Sequence, residues 1–306
     1  MLLSENFGVF VTPGQRKVFM DEIENYEPQF AQIFRQTETT IPFYRGAHIG
    51  GFGLWNSSTE GTTIATESVK QGSNAELSIE RYSKGYTISW ELMQDDQQGV
   101  FSGQAGQGGS AKMLARSLVS TVESKCASVL TGGFTNTGYD GVALFATNHK
   151  YHKNTGTPPT GSNKLTATPL TVAGLQDACK LMRAMKDNGG AASAGIIPGQ
   201  LIVHPDDEFA ARTLLNGALN IVDGVPHANS TLPNLEIVVL DHLANSSAFY
   251  VRAKNMDNLV LAWREKPRFA SHQIPQSVDW FFYGYMRFVA GYEEWRGLVG
   301  VQKSTS

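Results

Sequence analysis

Residues 110–131 of this 306-residue chain read SAKMLARSLVSTVESKCASVLT. Ala111, Leu114, Ala115, Leu118, Val119, Val122, Cys126, Val129 and Leu130 recur at spacings of three and four. That period places them on one stripe of an α-helix and predicts a buried face along its whole length. Ser110 is the expected N-cap. Gly132-Gly133 is expected to stop the helix by supplying positive φ. Lys112, Arg116, Glu123 and Lys125 are expected to keep the opposite side in water. A helix of this length is a spine against which the rest of a domain must pack.

The remainder of the chain mixes both periods. Thr12-Pro13 reads as a helix start, with Phe19, Ile23, Tyr26, Phe30 and Ile33 on one face and Pro28 as a kink or break. Leu77, Ile79 and Arg81, and then Tyr86, Ile88, Trp90 and Leu92, alternate as strands do. Between them, residues 54–74 are rich in Ser, Thr, Gly and Asn and offer little to bury. A two-stranded excursion of that composition is not stable alone and is expected to lie on something else, such as another subunit. Residues 148–167 read as a polar surface loop. Thr168-Pro169 is expected to cap a helix with Leu175, Ala178, Cys179, Met182 and Met185 on its inner face. Leu201-Ile202-Val203 reads as a buried strand, and Pro205 as the opening of a helix through Phe209 and Leu214. Residues 235–240, 248–252 and 258–263 read as further strands, so strands interleave with helices. The aromatic series from Trp280 to Tyr292 is expected to pack a sheet core.

The flanks of the spine carry more than periodicity. Asp95-Asp96 precedes it, and Asp140-Gly-Val-Ala-Leu-Phe-Ala-Thr-Asn-His149 follows. This order resembles the major head (capsid) protein family of Mu-like tailed phages, in which an acidic pair precedes the spine and a D-G-x-x-L-F-x-x-x-H segment follows it. Residues 196–217, IIPGQLIVHPDDEFAARTLLNG, and the terminal Trp295-Arg296-Gly297 fit the same pattern, with His204 as an insertion before Pro205. The resemblance spans residues 80–300, and residues 1–80 agree in layout.

The resemblance implies an α+β chain with the Hong Kong 97-type capsid fold. Its expected parts are an N-terminal arm over 1–40, an extended β-hairpin loop over 41–92, and a peripheral domain with the spine helix over 93–164. An axial α/β domain follows over 165–255, and residues 256–306 return to the peripheral domain. It further implies assembly of pentamers and hexamers into an icosahedral head shell around phage double-stranded DNA, in virions made in a bacterial cytoplasm. Implied partners are other copies of the chain, a scaffold, a maturation protease and a portal, with DNA touched only weakly and without sequence preference. An encapsulin-like compartment enclosing enzyme cargo is the alternative on the same fold. A cytosolic hydrolase using His204, Asp206 or Asp241 is the distant third.

Composition fits the assembly reading. Lys plus Arg number 25 against 28 Asp plus Glu, a net charge of −3, whereas a chain built to grip nucleic acid carries a basic excess. Cys126 and Cys179 are the only cysteines, too few and too far apart for a disulfide framework, and read as buried thiols. The start MLLSENFGVF has neither the basic nor the apolar region of a secretory signal. No apolar run reaches the ~20 residues that span a bilayer.

Individual motifs fail as catalytic or ligand sites. Residues 103–112, GQAGQGGSAK, follow no strand and lack the Gly-Lys-Ser/Thr ending of a phosphate-binding loop, so a hinge before the spine is expected. His149 with His152, and His204 with Asp206, Asp207 and Glu208, lack a complete metal-ligand set; the latter carboxylates fit a helix's first turn. Asp241-His242 is a common adjacent pair with no nucleophile motif beside it. Lys70 in the presumed loop gives no local sign of cross-linking. No catalytic, cofactor-binding or metal residue is assigned.

Overall fold

A computed structural model of the chain describes residues 7–49, 57–61, 63–64, 66, 71–95, 109–151, 159–187, 193–216, 219–222, 225–228, 232–244, 246–277 and 279–304. The chain opens with helix α1 (Phe7–Glu24) and a 3-10 turn (Gln29–Gln32). Strands β1 (Arg35–Glu38), β2 (Phe43–Ile49), β3 (Gln71–Ser78) and β4 (Glu80–Ile88) follow, then the short helix α2 (Trp90–Gln94) and the spine α3 (Ser110–Thr131). Three short strands come next, β5 (His149–Lys150), β6 (Thr160–Gly161) and β7 (Lys164–Leu165), leading to α4 (Val172–Arg183), β8 (Pro198–Val203) and α5 (Glu208–Asn216). A small hairpin, β9 (Leu219–Val222) and β10 (Val225–Ala228), precedes β11 (Glu236–Val239) and β12 (Ala248–Ala253). The long pair β13 (Leu259–Gln273) and β14 (Trp280–Tyr292) and the final β15 (Leu298–Gln302) complete the chain.

Two sheets organise these elements. One is four-stranded, in the order β1-β13-β14-β4; the other is five-stranded, β11-β8-β12-β15-β7. β13 and β14 pair antiparallel from Leu259–Tyr292 to Gln273–Trp280. β15 then leaves them and pairs with β12 in the five-stranded sheet. α3 and α1 lie together on one face of the four-stranded sheet. Phe19 of α1 packs against Phe269 in a tilted pair with ring centroids 5.1 Å apart, and Tyr82, Tyr86, Phe282 and Phe288 form an aromatic layer beneath them. Gly284 lies under this contact, where an added Cβ would sit 3.4 Å from Phe19. Leu175, Ala178 and Met182 of α4 pack on the five-stranded sheet and are fully buried. Each such Leu or Met contributes about 1.5–3 kcal/mol of burial free energy.

The spine buries the stripe that its spacing predicts, with Val129 only partly covered. Four expectations change. Gly109 is the N-cap and Ser110 is the first helical residue. Gly132 has φ −73°, so positive φ does not end the helix. The glycine pair is needed for space instead, because a Cβ on Gly133 would meet Phe145 at 2.8 Å. Glu123 faces inward and is 2% exposed. Trp90 and Leu92 leave the strand period, since Ser89 Oγ accepts the Leu92 N–H and starts α2.

Other boundaries move as well. α1 begins at Phe7, upstream of Thr12-Pro13, and ends before Pro28 as expected. Thr171, whose Oγ1 accepts from the Gly174 N–H, caps α4 in place of Thr168. Residues 148–167 are not wholly a surface loop: His149 and Asn163 are completely buried.

Candidate assembly surfaces and the junctions that hold them

The segment after the spine is a closed cluster. Asp140 Oδ2 lies 2.5 Å from His149 Nδ1, and His149 Nε2 donates to the Leu144 carbonyl at 3.1 Å. A carbonyl can only accept, so Nε2 is the donor there and Nδ1 is the nitrogen that faces the Asp140 carboxylate. Asn163 Nδ2 donates to the Leu144 and Trp295 carbonyls, at 2.7 and 3.2 Å, and its Oδ1 accepts from Ala146 N–H. Arg296, 8% exposed, donates to Glu294 Oε2 at 2.7 Å and to the Lys186 carbonyl. Gly297 turns the chain from β14 into β15 at φ +78°. His149 is thus a packing residue with both ring nitrogens committed. His152 lies outside the described residues.

A second junction ties the spine to distant segments. Glu123 accepts the backbone N–H groups of Gln29 and Phe30 at 2.7 and 3.2 Å. The Gln29 side chain donates to Asp241 Oδ2 at 2.7 Å and accepts the Asp241 N–H at 3.0 Å. His242 Nε2 lies 2.9 Å from Ser120 Oγ, one turn before Glu123 on the same helix. A Ser–His contact invites comparison with acyl transfer. However, His242 Nδ1 is buried with no partner, and the adjacent carboxylate of Asp241 is held by Gln29, so the orienting acid is missing.

At the start of α5, His204 Nδ1 accepts the Asp206 N–H at 3.2 Å and Asp207 pairs with Lys303. Glu208 pairs with Arg212 at 2.8 Å. These groups cap and pin a helix, as their position in the first turn suggests, and Asp241 belongs to the other junction. Among the described residues, no three His, Cys, Asp or Glu side chains form a group that could hold a metal ion. Cys126 and Cys179 are buried free thiols, and burial pushes both thiols up. Asp96, Lys70 and residues 101–108 lie outside the described residues.

Among the described residues, three surfaces stand open. Among the described residues, β2 and β3 pair only with each other, from Phe43–Ser78 to Ile49–Gln71. The hairpin's base is anchored, because Leu77 fills the space over Gly291 and Tyr44 and Arg35 both bind Glu293. The outer face of the four-stranded sheet carries Phe281, Tyr283 and Tyr285, half-buried, with Arg81 and Arg268 over the Tyr285 ring at 5.1 and 5.0 Å. The aromatic run of β14 therefore splits, with Phe282, Met286 and Phe288 in the core and the alternate residues outside. The cross-strand arginines come from β4 and β13, so reading β14 alone could not find them. Phe209 on α5 is 78% exposed.

The sequence matches the profile of a family described as "Phage capsid protein" over residues 74–301. No curated protein matches it. Among solved structures, the chain is similar to the procapsid protein of bacteriophage JBD30 at 14% identity, covering 100% of this chain and 77% of that one, with a TM-score of 0.54. It is similar to the capsid protein of cyanophage P-SCSP1u at 14% identity, covering 89% and 87%, with a TM-score of 0.55. A virus-like particle from Pyrococcus furiosus matches at 12% identity, covering 95% and 98%, with a TM-score of 0.53. These likenesses carry the α+β shell fold of Hong Kong 97 type. The family match spans most of the chain and takes in the spine, the buried His149–Asn163–Trp295 cluster and the open outer sheet face. The chain belongs to the phage capsid protein family.

Proposed function

We propose that this chain is the major capsid protein of a Mu-like tailed phage or prophage, and that copies of it assemble as pentamers and hexamers into a DNA-enclosing head. The observation that supports this most directly, beside the family match, is the β2–β3 hairpin. Among the described residues its strands pair with no third strand, and a two-stranded ribbon has too small a core to stand alone. Resting on a neighbouring copy supplies what it lacks. Head-to-tail contacts of that kind close into rings.

In this reading the four-stranded sheet with α1 and α3 is the peripheral domain. The five-stranded sheet with α4 and α5 is the axial domain, with β15 closing it from the far end of the chain. A scaffold, a maturation protease and a portal act with the shell, and DNA is contained through weak contacts. The role is structural, not catalytic. The encapsulin-like reading is less well supported, because the matched family is one of phage capsids.

Electron microscopy of the purified chain, with its sedimentation mass, tests the proposal. Rings of five or six, tubes or shells are expected, and their contents decide between DNA and enzyme cargo. Deleting residues 54–74 is expected to abolish assembly while leaving the fold intact. A chain that stays monomeric or dimeric at high concentration and with added scaffold would overturn the reading.

A further inference from the structure

The ring of contacts around Glu123 does more than hold a turn in place. Gln29 and Phe30 come from the N-terminal segment, Ser120 and Glu123 from the middle of α3, and Asp241 and His242 from the turn after β11. The path from Glu123 through Gln29, Asp241, His242 and Ser120 returns to the same helix. The Gln29 and Phe30 N–H groups both end on one carboxyl group, that of Glu123, which is 2% exposed.

We propose that this ring is a proton-sensitive latch that fixes residues 26–34 on the spine, locked when Glu123 is protonated and loosened when it is ionised. The inference concerns a single chain and does not depend on the shell reading. The charged and titratable groups facing Glu123 are Tyr26 on the N-terminal side, Cys126 on its own helix, and Asp241 and His242 on the turn. Among the described residues, no lysine or arginine joins them. Burial pushes the Glu123 carboxyl above the ordinary range, and the two backbone N–H groups and His242 pull against it without overcoming it.

The sign follows from linkage. An open form exposes Glu123 and returns it towards its ordinary value, so the closed form binds the proton more tightly. Acidification therefore favours closure between that ordinary value and the higher one of the closed form. Above this window the ionised carboxylate opposes burial in full. Within the window, the closed-to-open ratio changes by up to about tenfold per pH unit.

Hydrogen–deuterium exchange of the full chain tests this, read over residues 26–34 between pH 4 and 8. Rates are corrected for the intrinsic pH dependence, and sedimentation verifies an unchanged oligomeric state. Protection is expected to fall several-fold as pH rises in the wild type and to be flat in Glu123→Gln. His242→Gln is expected to keep the pH dependence, which separates Glu123 from the neighbouring imidazole. Gln29→Ala opens the ring but leaves Glu123 titrating, so faster exchange with the wild-type pH dependence is expected. That variant also keeps the test decisive if Glu123→Gln fails to fold. Equal pH dependence in wild type and Glu123→Gln would overturn the proposal, as would its loss in His242→Gln.

Discussion

The imidazole of His149 lies flat on the indole of Trp295, with ring centroids 4.5 Å apart and planes 6° from parallel. The two residues belong to segments far apart in the chain, His149 closing Asp140–His149 after the spine and Trp295 opening Trp295-Arg296-Gly297 before the last strand. Asn163 bonds to both segments, through the Leu144 and Trp295 carbonyls. The motifs that look independent along the sequence are one buried cluster. It joins the C-terminal end of the spine to the crossing between the two sheets.

Asp140→Ala is expected to destabilise the fold by about 3–5 kcal/mol, because it leaves the enclosed ring of His149 facing an empty site where its carboxylate stood. Denaturant unfolding measures this. A loss below about 1 kcal/mol would mean that the pair is dispensable.

Gly297→Ala is expected to cost about 1–2 kcal/mol from its left-handed backbone alone. It should cost more in practice, because an added Cβ would sit 3.0 Å from Met256 Sδ. Gly141, at φ +84° with open space around it, is the matched control. Gly141→Ala should show the backbone cost without the crowding, and thermal unfolding of the two variants separates these contributions.

Glu22 joins α1 to the spine through Arg116 at 2.7 Å and Lys112 at 3.2 Å. The Arg116 hydrogen bond is the main cause holding its carboxyl below the ordinary range. A lowered carboxylate stabilises the fold above its unfolded value of about 4.3 and loses that contribution as pH falls through the lower folded value. Glu22→Gln is therefore expected to flatten the acid limb of the stability profile. At neutral pH its cost should stay within about 1 kcal/mol, as for other surface pairs. An acid limb identical to that of the wild type would reject the assignment.

Phe209→Ser is expected to leave unfolding within about 0.5 kcal/mol of the wild type, since the ring is largely in water in the single chain. If α5 lines a contact between copies, the same variant should raise the concentration needed for ring formation, read by sedimentation. Unchanged assembly would remove α5 from the interface.

The period of residues 110–131 determined the spine and nearly all of its buried side, because a long helix has to bury a continuous stripe whatever it meets. The short apolar runs in β8, β12 and β13 similarly declared strands, and the ordered motifs on either side of the spine pointed to a phage capsid family. Glu123 shows where this kind of reading stops. A carboxylate at a helix position bordering the apolar stripe reads as solvent-facing, and only the arrival of the Gln29 and Phe30 N–H groups makes its burial tolerable. Those donors come from a segment that nothing in the local pattern connects to the spine.

By its place after the helix Gly133 reads as a positive-φ stop, yet it is the ring of Phe145 that requires a residue without a side chain. The arginines over Tyr285 were invisible for the same reason, since they come from two other strands. Local periodicity and turn chemistry are properties of neighbours in sequence, and the sequence by itself determined the elements, their apolar faces and the family. Buried polar partners, close backbone approaches and the composition of a sheet face depend on residues that meet only when the chain has folded, and the tertiary structure alone decided those.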